Sequence, residues 1–250
     1  MCYNVSIVEK TAKLIQERFL FHPDLNACTW RIEEKALAEL PLYNAVRLMK
    51  LPIITLKEKE LRVFKAQWWL IPHWSKTGKP DSTAFNARIE TIAKSKLFSP
   101  YFKFRRCVFP VDGFYEYSSK ELVSVKDRKS KVKQPYFFAR DDQQPLLLAG
   151  VYSVWKNEHT GEELPSFATL TKEPNDIVGE IHNRMPVLLD QTTAGTWLDE
   201  RENDTMALKN MAEQSTETVS LVRHPVDAGY LYDRSHQDAK CWEEPEQQSK

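Results

Sequence analysis

The residues of this 250-residue sequence with the clearest capacity for covalent chemistry stand at its start, where Met1 precedes Cys2. Initiator methionine is commonly trimmed before a side chain that small, so a mature chain starting at Cys2 is expected. It would carry a free α-amine and a thiol on one Cα, titrating near ~8 and ~8.5. Both are then partly nucleophilic at neutral pH. The amine condenses with an aldehyde to an imine, the thiol adds to the imine carbon, and a five-membered thiazolidine closes. The thiolate can instead attack an amide, with the α-amine or a nearby His as base. A plain alternative stands beside both: Cys2 as a small core hydrophobe at the start of a strand.

Proton chemistry has two further candidates. Glu116 lies between Tyr115 and Tyr117 in an alternating run. If the tyrosines face one side, Glu116 faces the other. A core on that side would raise its pKa into the range of an acid or base; alternation alone places it toward solvent. His182, two residues before Arg184, follows a helical stretch. The helix dipole favours both cations there, and the functional alternative is a general acid or base beside a phosphate clamp. Asn86 and Arg88 precede an expected helix from about residue 90 to 97, where exposed N–H groups favour an anion and Arg88 can fork onto phosphate oxygens. The competing reading makes Asn86 an N-cap and Arg88 a surface charge. Trp68, Trp69 and Trp74 fall within seven residues. They form either a packed aromatic corner closed by Pro72 or a stacking platform for bases or sugars.

The elements that must position these groups are mixed. Asn4 to Val8 alternates as a strand. Residues 11–21 have helical spacing, and 32–40 form a second, weaker helical stretch. Residues 51–56 and 61–71 read as two strands around the charged turn 57–60. Strands are expected at 107–111, 114–117, 135–139, 146–155, 166–171, 187–189 and 219–222. Helices are expected at 175–181, 194–202 and 205–214, and a basic hairpin loop at 121–134. Residues 1–233 read as one domain and 234–250 as a polar, frayed tail.

Composition sets bounds. Lys+Arg and Asp+Glu are both 35, so no bulk field draws the chain to nucleic acid or lipid; a nucleic-acid site must be local. The four cysteines are far apart, which disfavours zinc by spacing and a disulfide framework. No metal or other cofactor is expected. No apolar run approaches ~18 residues, so no membrane contact is expected. The compartment reads as reducing and intracellular: cytoplasmic, nucleoid-associated if bacterial.

Taken together, the motifs resemble the SOS-response-associated peptidase family, the abasic-site-processing proteins. The resemblance rests on Met1-Cys2, on Trp68 to Trp74 as a form of W-G-L-I-P-x-W, and on Asn86 to Thr91 as N-A-R-x-E-T. It continues through Arg105-Arg106-Cys107 to Glu116 and ends on His182 to Pro186 as H-x-R-M-P. It departs from the pattern at Trp69 in place of Gly, at Val46 in place of Pro, and at Val222-Arg223-His224, where an Asn is common. The resemblance implies a single-domain α+β fold, with mostly antiparallel curved sheets forming an open barrel and helices outside. It implies a partner, single-stranded DNA with abasic sites, and a lyase-like cross-linking of the sugar aldehyde to Cys2. On that pattern His182 opens the sugar ring, Glu116 lies beside the amine and thiol, and Asn86 orients the reacting group. Arg88 and Arg184 look like phosphate contacts, Trp68 and Trp74 like base contacts, and Thr171 like a strand-end DNA contact. Cleavage of the Met1–Cys2 bond by Cys2, Glu116 and His182 is the peptidase alternative. A non-covalent single-strand binder is the third.

Overall fold

The structure, a computed structural model, describes residues 4–8, 11–13, 15, 28–80, 84–126 and 128–245. Met1, Cys2 and Tyr3 lie outside the described residues, as does most of the expected helix 11–21, of which Thr11 to Lys13 and Ile15 are helical. The early strands are β1 (Asn4–Ile7), β2 (Thr29–Ile32), β3 (Leu42–Val46), β4 (Lys50–Lys57), β5 (Glu60–Trp68) and β6 (Asn86–Arg88). Then come β7 (Arg106–Val111), β8 (Gly113–Val123), β9 (Val132–Arg140), β10 (Leu146–Lys156) and β11 (Glu163–Lys172). The short β12 (Met185–Pro186) and β13 (Leu188–Leu189) precede β14 (Leu221–Pro225). Helices α1 (Ser99–Phe104), α2 (Asp176–Gly179), α3 (Gln191–Leu198), α4 (Thr205–Thr218) and α5 (Ala228–Tyr232) lie between and after them.

Two sheets form an α+β fold, as the resemblance implies. In one, β4, β5, β11, β10 and β7 pair in a ring. The barrel expected to be open is closed by a parallel contact, Ser166 with Gln67 and Phe167 with Trp68. Closure satisfies edge groups that would otherwise invite another chain. The second sheet runs β14-β9-β8-β1-β3. Each residue of β7 is buried, because this strand has core on both faces: Val108 packs in one apolar cluster and Phe109 in the other. Such a strand reads as a continuous apolar run. The β4–β5 hairpin turns at Glu58 and Lys59, both with positive φ, the geometry that matches strand twist in tight hairpins.

Two expected helices are absent. Residues 29–32 form β2 beside β5, and turns follow to residue 39. Between 86 and 97 the chain forms β6 and then only a short 3-10 turn, Ile92–Lys94. β6 pairs in parallel with β11, Thr169 to Thr171. The sheet takes Thr29–Ile32 and Asn86–Arg88 just before the expected helices, whose own residues form turns at 34–39 and a single 3-10 turn at 92–94.

Arg106, 3% exposed, joins the barrel to its helices. Its guanidinium donates to the carbonyls of Phe102, Lys103, Trp197, Asp199 and Glu202. All but that of Glu202, in the turn after α3, lie at the C-terminal ends of α1 and α3, where helices leave acceptors unpaired. Burial lowers the guanidinium pKa to about 10, so it stays charged at neutral pH. Arg106→Met strands these acceptors in an apolar setting. We expect a loss of about 3–5 kcal/mol, read as a lower urea midpoint at unchanged slope.

Candidate active site

The strand that opens the described chain pairs with the strand that carries Glu116. Asn4, Val5 and Ser6 of β1 lie opposite Tyr115, Phe114 and Gly113 of β8. Tyr115 is fully buried, and its hydroxyl donates to the Tyr43 carbonyl at 2.7 Å. Alternation sends Glu116 to the opposite face, which was expected to meet solvent. It does not: Glu116 is 1% exposed. The chain leaving α2 covers it, with the Ser119 N–H donating to the Ile181 carbonyl. The next residue, His182, places its Nδ1 3.9 Å from Glu116 Oε2.

Burial fixes the protonation of this pair. It pushes the Glu116 carboxyl up to about 7, and it pulls the His182 imidazolium below the usual 6.5. The Arg184 N–H lies 3.1 Å from His182 Nδ1. A backbone N–H only donates, so Nδ1 accepts and the neutral ring carries its proton on Nε2. Once protonated, Nδ1 can donate to the Arg184 carbonyl at 3.2 Å. Near neutrality the site therefore holds a carboxyl poised to give or take a proton beside a neutral imidazole, the arrangement of an acid–base pair.

Arg184 is pinned. Its guanidinium forks onto Glu90 at 2.8 and 2.9 Å and donates to the Thr171 carbonyl at 2.7 Å. Expected as a phosphate contact, it holds in this structure the loop that carries His182. Thr171, expected to touch DNA, is 1% exposed, with its hydroxyl directed to the Ala87 carbonyl. Trp68 is fully buried against Phe109 and Phe167, and its Nε1 donates to the Phe85 carbonyl. It has no ring face to offer a base, so the packed-corner reading describes it. Trp74 is 49% exposed and stacks on Tyr101 at 6.0 Å. Asn86 and Arg88 lie on strand β6, which removes the helix-terminus anion site expected of them. Asn86 is 9% exposed and accepts from the Thr169 hydroxyl, while Arg88 points outward.

A recess of about 360 Å³ opens over Glu116 and His182, and its walls include Asn4, Arg47, Lys133, Tyr232 and Arg234. Asn86, Arg88, Arg184 and the two tryptophans do not line it. Tyr232 and Arg234 belong to a segment expected to be at or near a frayed tail. Instead Cys241 is buried, and Trp242 packs edge-on against Tyr43 and Phe137. The signal was present in Asp227 and Asp238, which cap the short helical turns at 228–232 and 239–241. Asn44, fully buried, ties this segment to β1. It accepts from Asn4 Nδ2 at 2.6 Å and donates Nδ2 to the Leu231 carbonyl at 3.0 Å. Gln237 bonds both the N–H and the C=O of Asn44 at 3.1 Å, as a neighbouring strand would. Asn44→Ala orphans buried partners at both ends. We expect a loss of about 2–4 kcal/mol and protease cleavage near residue 230 before global unfolding.

The three described thiols offer little competition for a nucleophile. Burial raises Cys107 well above its usual value, Cys241 to about 11, and Cys28 to a lesser degree. Among the described residues no three His, Cys, Asp or Glu side chains gather as a metal site, and no helix is long and apolar enough to cross a membrane.

A closed barrel flanked by a second sheet, with a buried Glu116 beside a half-buried His182 between the first strand and the α2 exit, defines a recognisable class. The family described as SOS response associated peptidase (SRAP) matches residues 1–229, and the chain belongs to it. It is 29% identical to the abasic site processing protein YoqW of Bacillus subtilis (strain 168) over 192 residues, 74% of this chain and 82% of that protein. It is 30% identical to the abasic site processing protein YoaM of the same organism, over 68% of this chain and 71% of that one. A solved protein from Bacteroides thetaiotaomicron shares the fold, with a TM-score of 0.73 at 21% identity over 98% of this chain and 100% of that chain.

Proposed function

We propose that this chain captures abasic sites in single-stranded DNA covalently through Cys2 after loss of Met1. The observation that carries the reading is the Glu116–His182 pair beneath a recess walled by Asn4. Cys2 stands two positions before Asn4 in the sequence. The relatives named as abasic site processing proteins support an abasic site as the substrate.

The chemistry follows from the groups present. An abasic sugar is mostly a closed hemiacetal. A neutral His182 takes the hemiacetal proton as the ring opens, and a protonated Glu116 supplies one to the departing ring oxygen. The Cys2 amine adds to the aldehyde, and the carbinolamine loses water to an imine. The thiol then adds across the C=N bond: sulfur bonds to carbon and the proton passes to nitrogen. Closure removes the imine that would otherwise promote β-elimination and strand cleavage, so the lesion is shielded. The family's peptidase description favours a second, preparatory reading, in which the same residues hydrolyse the Met1–Cys2 bond.

Intact mass of the protein, alone and mixed with a short single strand carrying one abasic site, tests the proposal. Loss of Met1 and a denaturation-stable gain equal to the oligonucleotide minus water are expected. Retained Met1 without an adduct overturns it.

A further inference from the structure

We propose that the basic tip of the β8–β9 hairpin is a docking track for DNA phosphates, holding the strand on one side of an abasic site as it leaves the recess. The inference rests on the capture reading for its ligand, but its geometry is independent of Cys2. Residues 120–133 carry six Lys or Arg and two Asp or Glu, in a chain whose total charge is zero. Lys126, Arg128, Lys129, Lys131 and Lys133 are all exposed. None of the five forms an ion pair with a described carboxylate. Of the two acidic residues, Glu121 accepts from the Tyr136 hydroxyl at 2.8 Å, and Asp127 lies outside the described residues.

The hairpin begins at the site itself. Lys133, on β9 opposite Leu122 of β8, lines the recess that holds Glu116 and His182. Lys131 and Lys129 follow two and four positions nearer the tip. The tip is anchored. Val125 packs over α5, where a methyl on Gly229 would meet its Cγ1 at 3.4 Å. The Arg128 N–H donates to the Val125 carbonyl at 3.2 Å, and the Arg128 guanidinium lies over the Tyr232 ring at 5.1 Å. Such a contact fixes a cation without neutralising it. The Tyr232 hydroxyl donates to the Lys133 carbonyl at 3.3 Å, and its ring packs edge-on against Tyr117. Because Tyr232 also lines the recess, one aromatic side chain joins the wall of the site to the loop. A loop fixed in this way loses little freedom when it binds. Cations spaced along it gain most from a ligand that repeats its charge, as a phosphodiester backbone does.

The test uses strands carrying a tetrahydrofuran abasic analogue, which has no aldehyde and forms no adduct. Binding is followed by fluorescence anisotropy across a salt titration with the full chain. A short strand is compared with two others, one lengthened only on the 5′ side of the analogue and one only on the 3′ side. Wild-type protein is expected to gain about 10-fold in affinity at low salt from one of the two extensions and little from the other. In the triple variant Lys126→Gln, Lys129→Gln, Lys131→Gln that gain should disappear. The log–log salt slope on the lengthened strand should flatten by about 2, three cations at ~0.7 each. The triple variant with arginine at the same positions keeps the charge and should retain both gain and slope. Urea midpoints of both variants should match wild type, because the three side chains are exposed. Lys156→Ala, exposed at the end of β10 and outside the recess, should change neither gain nor slope. An equal gain in wild type and the glutamine variant overturns the track, as does loss of the gain in the arginine variant. An acidic protein segment, the other polyanion that such a loop could hold, predicts the first of those results. Failure of the capture reading shows separately, as absence of an adduct with an aldehyde-bearing strand while the gain on lengthening persists.

Discussion

Cys2→Ala is expected to abolish the denaturation-resistant adduct, a change of at least about 10³-fold in stable product, while binding of an abasic strand stays within about twofold. The size of the effect follows from which bond is lost. The alanine variant keeps an N-terminal amine, so it still forms an imine once Met1 is removed. An imine hydrolyses, or it loses the 3′ phosphate by β-elimination. Without the thiol there is no ring closure to withdraw the imine from either fate. The variant should therefore nick abasic strands slowly, and borohydride should trap it as a reduced amine linkage. Wild-type protein should need no reductant and should nick less. The measurement is a denaturing gel with and without borohydride. An alanine adduct as stable as wild type without reductant would remove the thiol from the mechanism.

Glu116→Gln should slow capture by about 10²-fold or more, the scale of lost acid–base assistance, and should make the protein more stable at alkaline pH. The second half is a linkage argument. Burial raises the folded pKa of Glu116 from an ordinary 4.5 to about 7. A carboxyl raised in this way stabilises the fold fully below its unfolded pKa, and that stability is lost as pH rises through about 7. At ~1.4 kcal/mol per pH unit, the penalty for burying the carboxylate reaches about 3 kcal/mol by pH 8.5. Glutamine keeps the shape and carries no charge. Urea midpoints should thus converge near pH 5 and favour Gln at pH 8.5. Equal midpoints at both values would show that the carboxylate is compensated in the fold. His182→Ala should match the kinetic loss without the alkaline gain, because its imidazole is already neutral there.

How much of this was legible depends on what kind of neighbour decides each residue. The β4–β5 hairpin is written locally, in alternation and in Glu58-Lys59. Helices α3 and α4 begin at Asp190 and Asp204, whose carboxylates accept from backbone N–H groups of the first turn. Alternation also placed Glu116 opposite its two tyrosines, which is correct. It could not say what covers that face, because Ile181 and His182 arrive from α2, far along the chain. The same limit hid Trp68, whose burial comes from Phe109 and Phe167 on other strands of the barrel. It hid β6 and β2 as well, each a short segment whose partner is a distant sheet edge. The charged residues after Arg234 read as a solvated tail; those described, up to Glu244, are surface positions on a segment anchored by Leu231, Cys241 and Trp242. Glu116 and His182, singled out by motif, lie side by side beneath the recess, and Arg47 and Arg234, which also line it, belong to no motif.

The Asn44–Gln237 contact sets an order of events during synthesis. The two residues are 193 positions apart. At roughly 5–20 residues per second, Asn44 is made about 10–40 s before its partner. Through that interval the start of the chain is accessible while the wall bearing Tyr232 and Arg234 does not yet exist. A chain stopped short of Gln237 would keep the Glu–His pair and lose the wall, leaving an acid–base site without the surface that selects what enters it.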